Sequence, residues 1–222
     1  MPQLEILLFD TRNASAAALS PQALSASTLQ RLSAIQSTHR ARQIVLGRRL
    51  LAVAAGRMLG TAVAARDIKE GDAGYPLING HGMVFANLSH SGPWLAAIAC
   101  RDWQPGLDIE VARPRNVLAL AERAFDADDA ALVCNADPAH GMQLFHAAWT
   151  LREAAYKAGL RSSVVGTPAV LDSSGGPAAG LRGQLLQHTW QDGDALRQLH
   201  LAVVAPRPFS VSLCLIDQLE TV

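Results

Sequence analysis

The chain has 222 residues, half of them hydrophobic and 17% charged, enough apolar material for a packed core and too much for wholesale disorder. Lysine plus arginine and aspartate plus glutamate number 19 each, so the formal charge is zero, which argues against bulk nucleic-acid binding, since that requires a basic footprint. Cys100, Cys134 and Cys214 lie far apart with no Cys-x-x-Cys pair, which argues against a zinc ribbon or a disulfide framework.

The opening run PQLEILLFD carries charges and no long apolar stretch, so neither a signal peptide nor a membrane partner is expected, and a cytoplasmic location follows. Leu4, Ile6 and Leu8 alternate with Glu5 and Leu7, which predicts an opening strand. Ser20-Pro21 reads as the cap and first turn of a helical region. A longer helix is predicted from about Thr38 to Leu59, carrying Arg40, Arg42, Arg48, Arg49 and Arg57, with Gly60 as its left-handed cap. Residues 72–82 are rich in glycine and turn formers and read as a loop. Residues 83–100 read as two apolar strands around a polar turn, Ser89-His90-Ser91-Gly92-Pro93. After the turn Gln104-Pro105-Gly106 comes a short strand, 107–111. Helices are predicted over 117–125 and 142–158, a glycine- and serine-rich connection over 172–183, and two closing strands. In the second of these, Phe209, Val211, Leu213 and Leu215 alternate with polar residues.

Interleaved strands and helices give an α+β class. A long helix with hairpins occurs once before about residue 102 and once after it, so the expected domains are 1–102 and 103–222, two similar α/β halves forming a pseudo-dimer. Each half is expected to pack a small, mostly antiparallel sheet on a long helix.

Three constellations carry chemistry. In Gly106-Leu107-Asp108-Ile109-Glu110, strand alternation puts Asp108 and Glu110 on one face. Adjacent carboxylates repel unless protonated or bridged, and Mg²⁺ is a natural bridge; an acidic edge strand facing water has the same spacing. On the helix Trp149-Thr150-Leu151-Arg152-Glu153-Ala154-Ala155-Tyr156-Lys157, the residues Leu144, Ala148, Leu151 and Ala155 form a core stripe, and Trp149, Glu153 and Lys157 form the adjacent one. Glu153 and Lys157 read either as a surface ion pair or as a third metal carboxylate with a phosphate-facing lysine. The segment Asn87-Leu88-Ser89-His90-Ser91-Gly92 gathers hydroxyl, imidazole and amide donors in one bend, which suits phosphate oxygens.

Four patches in order, Gly47-Arg48-Arg49-Leu50-Leu51, Asn87 to Gly92, Gly106 to Glu110 and Trp149 to Lys157, resemble the 4′-phosphopantetheinyl transferase family. The likeness is to its larger type with two halves in one chain, the holo-[acyl-carrier-protein] synthases. The last two patches resemble the family's G-[IV]-D-[IV]-E strand and W-[ST]-x-K-E-[SA]-x-x-K helix, and Arg123 and Phe125 look like its R-F-F segment. The resemblance spans roughly residues 40–157. It implies a monomeric enzyme that transfers 4′-phosphopantetheine from coenzyme A to a serine of an apo acyl or peptidyl carrier protein. By the same resemblance, Asp108, Glu110 and Glu153 would hold Mg²⁺, Arg48 and His90 would bind the 3′-phosphate, and Ser89 and Lys157 would lie along the diphosphate. Glu153, Lys157 and Arg152 would be catalytic. Two positions depart from the family: Arg152 stands where a lysine is usual, and Tyr75 interrupts a Gly-Lys-Pro, leaving backbone or stacking contacts to the coenzyme there. Arg113, Arg115 and residues 117–123 are candidate docking elements for the carrier. Another Mg²⁺-dependent phosphoryl or nucleotidyl transferase, or a non-catalytic relative that binds carriers, are the competing readings.

Overall fold

The computed structural model describes residues 2–71, 76–80 and 83–219. The chain forms two compact units, Met1–Pro105 with Phe209–Val222, and Gly106–Pro208. The division differs from the expected 1–102 and 103–222 because the closing strand returns to the first unit.

The first unit holds the strands β1 (Gln3–Asp10), β2 (Ile68–Glu70), β3 (Pro76–Ile78), β4 (Val84–Ser91), β5 (Trp94–Arg101) and β9 (Ser210–Ile216), and the helices α1 (Ala26–Ser33) and α2 (Thr38–Leu59). Its six-stranded sheet runs β2-β3-β4-β5-β1-β9. All neighbours are antiparallel except β1 and β9, which pair parallel with Ile6 opposite Leu213. The alternation read at the end of the chain thus belongs to an edge strand of this sheet. Helix α2 starts and stops as its sequence predicts: Ser37 caps it by accepting from the Arg40 amide, and Gly60 ends it at φ 72°. Leu46, Leu50, Leu51 and Ala55 of α2 share a buried core with Leu7, Phe9, Ala86, Leu95 and Ala97 of the sheet. Gly47 admits Leu88 to α2, since a Cβ there would fall 2.5 Å from the Leu88 side chain. Ser20-Pro21 opens a single 3-10 turn rather than an α-helix.

The second unit holds β6 (Gly106–Val111), α3 (Val117–Ala124), α4 (Ala127–Asn135), α5 (Pro138–Lys157), β7 (Gly183–Asp192) and β8 (Ala195–Val204). Its antiparallel sheet runs β6-β8-β7; β7 and β8 here and β9 of the first unit make three strands after α5, not the expected two. Leu144, Ala148, Leu151 and Ala155, the predicted stripe of α5, are buried with Ala121 of α3, Val133 of α4 and Ala202 of β8. Helix α4 was not foreseen, although its start is well marked. The Asp126 carboxylate accepts from the amides of Asp128 and Asp129, and those two acids occupy the favourable first turn. Helix α5 begins four residues earlier than expected, at the cap Asp137 and the first-turn residue Pro138.

The class is therefore mixed α and β, with a long helix on a small sheet in each unit, but the sheets have six and three strands. Among the described residues no helix is long and apolar enough to cross a membrane.

Candidate active site

In the second unit a missing side chain builds the site. A Cβ on Gly106 would fall inside the van der Waals radius of the Ala154 carbonyl and 3.0 Å from the Ala158 methyl. Only glycine lets the α5 backbone come this close to β6. Alternation along β6 then turns Asp108 and Glu110 to the same face as Gly106, opposite Ala202 and His200 of β8 in register. The last turns of α5 meet that face, and the Lys157 ammonium donates to Asp108 Oδ1 at 2.7 Å. Asp108 is buried and Glu110 and Glu153 are half-buried. Burial raises the Glu153 carboxyl above the ordinary range, the Asp108 charge adds to the rise, and Lys157 opposes it.

The site thus gathers two carboxylates that feel each other's charge and a lysine that relieves part of it. The donor set is all oxygen and suits a hard divalent cation, which would relieve the same repulsion. Among the described residues no three His, Cys, Asp or Glu side chains are grouped closely enough to hold a metal ion as they stand. A cation there requires the carboxylates to turn toward one another and Lys157 to release Asp108.

Arg152 is not part of this group. Successive residues of an α-helix point about 100° apart, so the residue before Glu153 faces away from β6. The Arg152 side chain is fully buried and donates to Thr167 O at 2.8 Å, Thr167 Oγ1 at 2.7 Å, Asp129 Oδ2 at 2.6 Å and Asp126 Oδ2. It also lies over the Phe125 ring, 5.0 Å from its centroid. Where Arg152 is expected to be catalytic, the structure turns its Nη1 and Nη2 to Thr167, Asp126 and Asp129, on α4 and the segment after α5, and leaves its buried Nε without a partner among the described residues.

Two buried histidines were not anticipated. His146 of α5 is 0% exposed, and its ring stacks on His200 with centroids 5.0 Å apart. Neither ring nitrogen of His146 has a hydrogen-bond partner among the described residues. Phe145, in turn, stacks on both Phe125 and Trp149.

In the first unit, Ser89, His90 and Ser91 lie within β4, paired to Ala96, Leu95 and Trp94. The expected five-residue turn is a two-residue one, Gly92-Pro93, made by Gly92 at φ 55°. Being neighbours on a strand, Ser89 and His90 face opposite sides of the sheet. Ser89 is buried, whereas the exposed His90 meets the Arg40 guanidinium through Nε2. Arg48 is buried and grips Glu70 with both arms of its fork, Nε and Nη2 each 2.7 Å from a carboxylate oxygen. Glu70 also accepts from Arg31 at 2.5 Å and Thr28 at 3.0 Å. Burial would raise the Glu70 carboxyl, but Arg48 above all, with Arg31 and Thr28, holds it below the ordinary range. Arg40 has its pKa lowered by burial and then by the charges of Arg31 and Arg48. Three arginines thus converge with one carboxylate among them. Glu70 lay unmarked in an unremarkable Ile-Lys-Glu stretch, and only the pairing of β2 brings it here. Tyr75 lies outside the described residues.

A family model described as the 4′-phosphopantetheinyl transferase superfamily matches residues 104–204, the span that holds β6, α5 and β8. The chain is similar to the 4′-phosphopantetheinyl transferase AcpT of Escherichia coli O157:H7, 28% identical over 159 residues, which is 70% of this chain and 74% of that protein. The protein of that name from Escherichia coli strain K12 matches to the same extent. The one from Salmonella typhimurium is 34% identical over 88 residues, 39% of this chain and 46% of its own.

Proposed function

We propose that the chain is a member of the 4′-phosphopantetheinyl transferase superfamily, whose model matches residues 104–204, and that it moves 4′-phosphopantetheine from coenzyme A to a serine of an apo acyl or peptidyl carrier protein. The observation that carries the assignment to particular residues is the convergence of Asp108, Glu153 and Lys157, made by the close approach of α5 to β6 at Gly106.

The serine oxygen bonds to the β-phosphorus of coenzyme A, the bond from that phosphorus to the bridging oxygen breaks, and adenosine 3′,5′-bisphosphate leaves with the electron pair. Glu153, raised in pKa by burial and by Asp108, takes the serine proton. Lys157 moves from Asp108 to the diphosphate, where its charge offsets that of the leaving group. Mg²⁺ held by Asp108, Glu110 and Glu153 would neutralise diphosphate charge when bound. Within the first unit, His90 with Arg40, and Arg48 held by Glu70, offer cationic groups suited to a phosphate such as the 3′-phosphate of the coenzyme. The exposed Arg113 and Arg115 with Leu118 and Leu120 of α3 offer a basic and apolar surface to an acidic carrier. The departure from the family pattern at Arg152 lies in a buried network with Thr167, Asp126 and Asp129, away from Asp108 and Lys157.

The test is to incubate the protein with apo carrier, coenzyme A and Mg²⁺ and weigh the carrier. A gain of one phosphopantetheine group is expected, abolished by Asp108→Ala. No gain with any carrier of fatty acid, polyketide or peptide synthesis overturns the reading, and binding of a nucleoside triphosphate instead would point to a different phosphoryl transferase.

A further inference from the structure

The contacts of Arg152 reach further than its own burial. Its guanidinium ties the turn of α5 that carries Glu153 to the N-terminus of α4 and to the segment 167–171. Asp126 is shared: Oδ1 caps α4 by accepting from the amides of Asp128 and Asp129, while Oδ2 accepts from Arg152. Asp129, fully buried, accepts from Arg152 and from the amides of Val170 at 3.0 Å and Leu171 at 3.0 Å. Arg161 completes the set by donating to the carbonyls of Pro168 at 2.8 Å and Ala169 at 3.3 Å. The amides of Val170 and Leu171 and the carbonyls of Thr167, Pro168 and Ala169 are therefore met by charged side chains, while the Val170 carbonyl accepts from the Ala178 amide. Two arginines balance two aspartates. Burial would raise the Asp126 carboxyl, but the Asp129 amide and the Arg152 guanidinium hold it below its ordinary range.

We propose that Arg152 is a positioning residue: by locking α5 to α4 and to 167–171, it sets the turn that presents Glu153 and Lys157 to Asp108, so restoring the lysine usual in the family lowers transfer rather than raising it. The proposal rests on the transfer reading above. The physical reason is the shape of the donor. Nη1 of Arg152 serves Thr167 while Nη2 serves the two aspartates, and one ammonium nitrogen cannot span acceptors that a planar fork separates. With lysine, acceptors of the lock are left unmet, and the helical turn gains freedom where displacements of about 1 Å can cost about a hundredfold in rate.

Arg152→Lys is compared with the parent protein in steady-state transfer to a carrier across pH and in amide hydrogen exchange of the protein without substrates. We expect kcat lower by about tenfold or more, KM for coenzyme A within about twofold because the substrate is not touched, and an unchanged pH profile. Exchange at Val170 and Leu171 is expected to quicken by about tenfold. Equal or faster turnover in Arg152→Lys, or a new limb in its pH profile, overturns the proposal in favour of proton transfer at this position. Unchanged exchange at Val170 and Leu171 overturns it as well. Should Arg152→Lys fail to fold, Asp126→Asn serves: asparagine still caps α4 but loses the charge on Arg152. It should show the same split between kcat and KM, and parental kinetics and exchange in this variant also overturn the lock. A parent protein that transfers nothing refutes the transfer reading, while the exchange data still decide the lock.

Discussion

Acidification titrates the buried pair His146 and His200, and the cost follows from their surroundings. Burial, then the positive charges of His200 and Arg115, depress His146 from 6.5 to about 3, and burial depresses His200 from 6.5 to about 4. The unfolded chain takes up both protons near the ordinary value while the folded chain refuses them. Their contribution to stability is therefore complete above pH 6.5 and is lost as pH falls toward 4. Once the unfolded histidines are protonated, two refused protons give a slope of about 2.7 kcal/mol per pH unit. Integrated from pH 7 to pH 5, the pair removes about 4 kcal/mol, a large share of the roughly 5–15 kcal/mol typical of a domain. Depressed carboxylates such as Glu70 act below pH 4.5; Glu153, raised on folding, takes up its proton earlier in the folded state and offsets part of the loss in parent and variant alike. His188, also lowered by burial, adds a smaller share common to parent and variant. Urea unfolding at pH 7 and pH 5 measures the loss. In His146→Leu, which fills similar space without a titrating ring, the loss attributable to the pair should fall to about 2 kcal/mol. An equal loss in parent and variant, or a His146 ring that titrates near 6.5 by NMR in the folded protein, would refute the reasoning.

Gly106→Ala should force α5 away from β6, costing about 1–3 kcal/mol as an overpacked contact and lowering transfer by separating Glu153 and Lys157 from Asp108; thermal melts and the carrier assay read the two effects. Glu70→Gln leaves buried Arg48 and its neighbour Arg31 without their carboxylate and should cost about 3 kcal/mol in urea unfolding at neutral pH. Because the Glu70 pKa is lowered on folding, its stabilisation is complete above 4.5 and lost as pH falls through the depressed value. The variant should accordingly lose less stability than the parent below pH 4.5.

Where chemistry depends on local repeat, the chain was legible before its fold was known. Period-two alternation was enough to place Asp108 and Glu110 on one face of β6, and helical spacing put Leu144, Ala148, Leu151 and Ala155 in the core of α5. The α2 ends could be read from Ser37 and Gly60 because caps are local hydrogen-bonding devices. Helix α4 escaped although Asp126, Asp128 and Asp129 carried a readable cap signal.

Long-range partners were a different matter. Nothing within a few residues of Arg152 announces Thr167, and nothing beside Arg48 announces Glu70, since such pairs form only when distant segments meet. The return of β9 to pair with β1 likewise joins residues some two hundred positions apart. The sequence by itself therefore determined the chemical inventory, three carboxylates and a lysine at strand and helix spacing, because those spacings are properties of one element. Only tertiary structure decided that Arg152 bonds to Thr167, Asp126 and Asp129, that Arg48 is held by a carboxylate, and that the missing side chain of Gly106 lets α5 meet β6. Those outcomes depend on which atoms of remote segments come within a few ångströms, and no local period encodes that.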